Sequence, residues 1–399
     1  MRSISTRQRR DLLTRRHHLG GDAGTPEQVA RALIGLHATD PATVFLSTLV
    51  RGRAITLAEI LDATYGRRTL VRWMAMRRTL FVFPRETVPI VHAAVSRPLA
   101  VTLRKRLERQ LELNGSQPAI DGDIGAWLSS VEDAVQRALL ARGTATGLQL
   151  SADEPRLRTF IPPRAPSDFP QNVTSPLLTV MSTEGKLVRG TATGPWTARQ
   201  HRWEAPDRWW PDGLPDVSAA LARRALARAW LVAFGPAPIS DLEWWTGWSK
   251  TVVQSALSGL PITEVDLDGE RAFLLDDPAV IAELDLPAPD PTVTLLPALD
   301  PTSMGWKRRE WFLAVDPAPL FDRNGNIGPT LWWNGEVIGG WAVAPTGEIR
   351  IAVLADRGTE VLARAERAAA ELQARIEGAV VTPTCRTPLE RSLSEGLAG

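Results

Sequence analysis

The chain holds 1 cysteine and 1 tyrosine in 399 residues. A lone thiol, Cys385, excludes an internal disulfide and fits a reducing compartment. It also excludes the thiolate-rich spacing of a structural zinc site. There are 5 histidines, and His92 and His201 stand isolated, so no metal site is expected. No apolar run approaches the roughly 20 residues that span a bilayer, which argues against a membrane partner. The opening "MRSISTRQRRDLL" is basic but no apolar core follows, so it does not read as a secretory signal. These absences leave a soluble, cytoplasmic protein as the expectation.

Hydrophobic residues make up 44% of the chain, a globular composition. At about 150 residues per domain, the length suggests two to four compact units. Tryptophan is abundant at 15, with pairs at Trp209-Trp210, Trp244-Trp245 and Trp332-Trp333. Packing explains most of them; stacking on bases is the alternative for a few. The net charge of +1 hides an asymmetry. Residues 1–115 carry about 20 Arg or Lys against about 9 Asp or Glu, and residues 256–399 about 12 against about 22. A basic part joined to an acidic part suits a polyanion bound at one end.

Four segments emerge along the chain. In residues 1–115, Thr25 is placed as an N-cap, Pro26 as the first helical residue and Gln28 as a capping-box partner. Val29, Ala32, Leu33 and Leu36 give that helix one apolar face. A second helix follows Asp40-Pro41. A third starts at Thr56 with Glu59 as its capping partner and stops at Gly66. The β-prone runs "TLVRWMA" and "RRTLFVFP" then form a hairpin. Three helices and a hairpin are the layout of a winged helix-turn-helix.

Residues 116–212 repeat the layout less clearly. Val131, Ala134, Val135, Ala138 and Leu139 make a helical stripe, and "LLTVM" and "KLVRGT" are expected as strands about Glu184-Gly185. An irregular proline-rich connection includes Pro155, Pro162, Pro163, Pro166 and Pro170. Residues 213–290 hold a helix near 217–232, a capping box of Ser240 with Glu243, a helix capped by Ser249, and a hairpin about Asp268-Gly269. Residues 291–399 are expected as strands "TVTLLPALDP", "TLWWNGEVIGGW" and "GEIRIAVL", with turns at Asn324-Gly325 and Asn334-Gly335. A last helix near 358–377 turns Leu362, Ala365, Ala369 and Leu372 inward. The fold class expected is α+β: three tandem winged helix-turn-helix units, then a small antiparallel β-sheet with a C-terminal helix.

The segments "ALIGLHATDPATVFLS", "RRTLVRWMAMRRTLFVFP", "LLPALDPTSMGWKRREWF" and "LFDRNGNIGPTLWWNGEVIGGW" resemble the AlkZ-type winged-helix DNA glycosylase family, also described as winged-helix DNA-binding proteins. The resemblance spans nearly the whole chain. It implies a C-shaped monomer on double-stranded DNA in the nucleoid, excising alkylated purines, including those in interstrand crosslinks, without metal or organic cofactor. The family's catalytic motif is Gln, an apolar residue, then Gln or Asp, just after the first helix. Here those positions hold His37, Ala38 and Thr39.

Cleaving an N-glycosidic bond builds oxocarbenium character on the sugar, so the site must hold that charge and position water. A base alkylated at N3 or N7 is already cationic and leaves neutral, so no strong general acid is required. His37 is therefore the candidate base or water-positioning group. Thr39 is the candidate hydrogen-bonding group, and Asp40 the candidate stabiliser of the cationic sugar. For Asp40 a helix N-cap accounts equally well for the Asp-Pro pair. The third helix bears Glu59 and Asp62, so DNA contact is assigned instead to the basic residues after it: Arg67, Arg68, Arg72, Arg77 and Arg78. Lys250, beside cap Ser249, is a further phosphate-contact candidate. Asp322 and Arg323 precede a turn that Asn324-Gly325 explains fully. A non-catalytic winged-helix DNA-binding protein or transcriptional regulator is the alternative reading.

Overall fold

The computed structural model describes residues 2–164 and 169–397. Pro166 lies outside them. The architecture is mixed α+β. The chain divides into two compact units: residues 1–70, 81–84 and 223–399, and residues 71–80 and 85–222.

The first unit opens with strand β1 (Arg2–Ser3) and helix α1 (Thr6–Arg16), which the sequence reading did not anticipate. Ser5 and Gln8 form a full capping box there, and β1 pairs in parallel with the strand Ile262–Leu267. Helix α2 (Pro26–Ala32) starts at Thr25 as expected. Gln28, however, does not complete a capping box: its Oε1 accepts from the Gly24 N–H, one residue earlier, at 2.9 Å. Strand β2 (Leu36–His37) follows, then helix α3 (Pro41–Leu49) and helix α4 (Leu57–Leu61). The Thr56–Glu59 capping box is present. Helix α4 continues as a π-turn to Gly66.

Every residue of α3 is buried. The reason lies far downstream. "TVTLLPALDP" is a strand only over Val293–Leu296. The rest leaves the sheet and grips α3, where Thr43 Oγ1 donates to Ala298 O at 2.9 Å and Ser47 Oγ to Asp300 Oδ2 at 2.6 Å. Arg51, just past α3, forks onto Asp300 at 2.8 and 2.7 Å, both side chains wholly buried. Burial alone would raise the Asp300 carboxyl, but Arg51 and its hydrogen bonds hold it below the usual carboxylate range. His17 on the C-terminal side of α1 joins through Thr302 Oγ1 at 2.9 Å. Burial first, then the Arg51 charge, push its imidazole down to about 3.

The later hairpin Ile262–Leu267 with Glu270–Leu275 turns at Asp268 and Gly269, both at positive φ, as that dipeptide suggests. Ser249 caps the helix Lys250–Leu257. Ser240 caps nothing. The helix there begins at Ile239 behind Pro238, so Ser240 already lies in its first turn. Strands Val293–Leu296, Thr330–Trp333, Glu336–Val343 and Ile349–Val353 form an antiparallel meander. The helix Thr359–Arg375 buries Val361, Ala365, Ala369 and Leu372. Leu362, expected inward, is 43% exposed, because Val361 takes its place on the stripe. A short helix, Pro388–Glu395, was not foreseen.

In the second unit, Leu107, Leu111, Leu128, Val131, Val135 and Leu139 share one core with Leu150, Leu177 and Leu178. The first two come from a helix, Arg97–Asn114, absent from the sequence reading. "LLTVM" is not a strand. It lies in the helix Thr174–Thr183, where Leu177, Leu178, Val180 and Met181 are all buried. A short apolar run carries no period to separate helix from strand, and here packing decides. Gly185 at φ 83° closes that helix before the strand Val188–Ala192.

Candidate active site and nucleic-acid contacts

The residues around the polar link 37–40 are held by close approach. Strand β4 (Leu80–Pro84) pairs antiparallel with β2, placing Leu36 opposite Val82 and His37 opposite Phe81. A Cβ on Gly35 would stand 2.6 Å from the Phe83 ring, so only glycine lets β2 lie against β4. Just before it, Ile34 adopts φ 65°. For a β-branched residue this is a genuine outlier, costing on the order of 1–3 kcal/mol.

Three of the four residues of the link are buried. His37 is 5% exposed and its ring meets Phe81 edge-on at 5.2 Å. Ala38 is buried, Thr39 is exposed and Asp40 is buried. Asp40 caps α3: Oδ1 accepts from the Ala42 N–H at 3.2 Å. Its other oxygen accepts from the Thr384 N–H at 2.8 Å and from Thr384 Oγ1 at 3.3 Å. Thr384 was not singled out in the sequence. Its separation of 344 positions from Asp40 leaves no local signal. Both carboxylate oxygens of Asp40 thus serve the backbone. Thr39 is the residue of the link that faces solvent.

The basic candidates fall into different settings. Arg67 is exposed but engaged by Glu27 at 2.7 Å and Asp62 at 2.6 Å. Arg68 is half-buried at φ 54°. Arg72 lies in strand β3 (Leu70–Met74), 5% exposed, directly opposite Arg189. Arg189 is buried over the Trp203 ring at 4.7 Å, and its Nη1 donates to Ser182 Oγ at 2.7 Å. Burial and the neighbouring Arg72 push its guanidinium down to about 9. Arg77 and Arg78 are exposed at the tip after β3, at φ 51° and 60°. Lys250 is exposed at the start of its helix.

Asp322 is occupied by its own turn. Its Oδ1 accepts from the N–H groups of Asn324 at 2.8 Å and Asn326 at 2.9 Å. Nearby, burial first and then the Asp322 charge push the Cys385 thiol up to about 12, which disfavours the nucleophilic thiolate. Among the described residues, no group of three His, Cys, Asp or Glu could hold a metal ion. No helix among them is long and apolar enough to cross a membrane.

A family model, DNA glycosylase AlkZ-like, matches residues 30–378, which include the whole link. The chain belongs to this family. Membership places it among the DNA-repair glycosylases. DNA glycosylase AlkZ of Streptomyces sahachiroi has a similar fold, with TM-score 0.72 and 21% identity over 96% of this chain and 99% of that one. No curated protein matches the sequence. The family resemblance read from the four sequence segments is thereby borne out, and two of them, "ALIGLHATDPATVFLS" and "LLPALDPTSMGWKRREWF", meet in the structure where Thr43 donates to Ala298 O.

Proposed function

We propose that this AlkZ-like protein is a monofunctional glycosylase releasing N3- or N7-alkylated purines from double-stranded DNA, including purines in interstrand crosslinks. It would work as three tandem winged-helix units (1–115, 116–212 and 213–290) with a β-rich C-terminal part (291–399). The observation that carries the reading is the exposed Thr39 held between buried His37 and the buried Asp40 that caps α3, within a family of DNA glycosylases. Thr39 positions the attacking water or the sugar-phosphate. His37, behind it, orients that water and takes its proton, a contribution typically of about 10²–10⁴ in rate. Asp40 fixes the geometry of the link and adds negative charge near the developing oxocarbenium ion.

The DNA contacts in this reading are Arg67, Arg68, Arg77, Arg78 and Lys250; Arg72, expected among them from the sequence, is buried in β3 at 5% exposure and is left out of the contact surface. Arg77 and Arg78 support it best. A two-residue turn with both φ values positive is normally given to Asn-Gly. Two exposed arginines held there instead suit phosphate contact.

The test is direct. Purified protein is incubated with duplex DNA bearing 7-methylguanine and then treated with alkali. Strand breaks at the lesion are expected, and His37→Ala and Thr39→Ala should each reduce them. Unchanged release in both variants overturns the residue roles. Tight duplex binding without breaks in the wild type would instead favour a non-catalytic DNA-binding protein.

A further inference from the structure

Apart from the polar link, the first unit carries a cleft of about 530 Å³, within the size range of ligand sites. It lies among the end of α1, the loop after α3 and the helix Thr359–Arg375. Five arginines line it: Arg15, Arg53, Arg364, Arg367 and Arg375. They face three carboxylates, those of Asp22, Asp290 and Glu371. Arg364, Arg367 and Arg375 share one face of the helix Thr359–Arg375, and Arg15 of α1 and Arg53 of the loop after α3 are brought to that face from two other segments.

Three of the five are steadied by main-chain carbonyls, which hold Arg15 and Arg375 without a carboxylate partner, while Arg364 is also paired with Glu360. Arg15 donates to Leu286 O and Pro287 O. Arg364 donates to Pro291 O at 3.0 Å, besides its pair with Glu360. Arg375 donates to Leu49 O, Gly52 O and Ile55 O at 2.6, 2.8 and 2.6 Å. These acceptors include the carbonyl end of α3, which would otherwise repel an anion. The remaining two, Arg53 and Arg367, are exposed and make no ion pair or side-chain hydrogen bond among the described residues. Arg53 is laid across Gly21, where a Cβ would stand 3.1 Å from its Cγ and Nε.

We propose that this cleft is a phosphate-binding site, with Arg53 and Arg367 gripping the anion and Arg15, Arg364 and Arg375 supplying fixed positive charge. Planar guanidinium forks match phosphate oxygens in pairs, which makes arginine the fitting residue. The phosphate is either that of a duplex backbone or a small phosphate ion. The cleft is at the C-terminal end of α3 and the polar link at its N-terminal end, about 13 Å apart at 1.5 Å per residue. The duplex source rests on the glycosylase reading; the small-ion source does not.

The test pairs the wild type with Arg53→Gln/Arg367→Gln and, separately, Glu371→Gln. Anisotropy titrations on undamaged duplex are run across salt, and calorimetry uses inorganic pyrophosphate. For a duplex phosphate, the double variant binds DNA about tenfold more weakly and its log–log salt slope falls by roughly two, near one per lost contact. For a small ion, duplex binding is unmoved and pyrophosphate binding is lost. In either case Glu371→Gln tightens the binding that the double variant weakens. Both arginines are exposed, so the double variant should keep the wild-type melting temperature. If neither duplex nor pyrophosphate binding responds, the proposal is wrong. This outcome is separable from failure of base excision, because neither assay measures catalysis.

Discussion

Asp40 Oδ2 accepts a hydrogen bond from the Thr384 N–H at 2.8 Å, while its Oδ1 caps α3. One carboxylate joins the start of the candidate site's helix to a segment near the end of the chain. Removing it should cost both contacts. Asp40→Ala is expected to destabilise the protein by about 2–4 kcal/mol, with roughly 1 from the cap and the rest from a charged hydrogen bond. Asp40→Asn keeps one acceptor and should lose less. Urea unfolding of the two variants checks the ranking.

The buried Arg51–Asp300 pair predicts a non-additive result. Arg51→Met leaves Asp300 uncompensated in a site with no exposure and should cost about 3–5 kcal/mol. Arg51→Met combined with Asp300→Leu removes both charges and should recover much of that loss. A double-mutant cycle by chemical denaturation would show it. Simple additivity would mean that the two side chains are not coupled as their 2.7–2.8 Å contacts require.

Gly35 and Gly24 make a matched pair of tests. Alanine at 35 drives a methyl group to 2.6 Å from Phe83, whereas alanine at 24 meets only the Gln28 side chain at 3.6 Å. Gly35→Ala should cost about 1–3 kcal/mol by overpacking, and Gly24→Ala should be nearly neutral. Gly35→Ala should also slow base release, since relief of the clash displaces β2 and the link behind it. Melting curves and the 7-methylguanine assay report the two effects.

His17 sets a pH dependence. Its imidazole titrates near 3 when folded, against 6.5 as the ordinary value. The unfolded chain therefore binds the extra proton first. The stabilisation is complete above 6.5 and is lost as pH falls from there toward 3. Asp300, held low by Arg51, adds to the loss in the same direction at the acid end. Stability measured by urea titration should fall through this window, and His17→Gln should make the slope shallower. A wild-type slope unchanged by that substitution would remove His17 as its source.

Much of this was legible because it was local. Thr56 with Glu59, Ser249, Asp40-Pro41 and the Asp268-Gly269 turn all carry their partners within a few residues, and each sits where the sequence placed it. The failures share a cause as well. "LLTVM" is too short to show a period, Pro238 starts the helix two residues ahead of the cap expected at Ser240, and Gln28 finds Gly24 instead of Thr25. At the candidate site, the residues of the link were visible but their exposure was not. Burial of His37 depends on its pairing with Phe81, and burial of Asp40 on Thr384. Pairings across such distances leave no trace in local pattern.

The contact between Asp40 and Thr384 bears on where this protein ends as a folding unit. The family match stops at residue 378, but Asp40's second partner, the buried Cys385 and the helix Pro388–Glu395 all come later. That helix buries Leu389 and Leu393. A chain cut at the family boundary would retain every residue of the polar link and lose part of what holds it. Evolutionary recognisability and mechanical completeness are different borders here, and the second lies closer to the C-terminus.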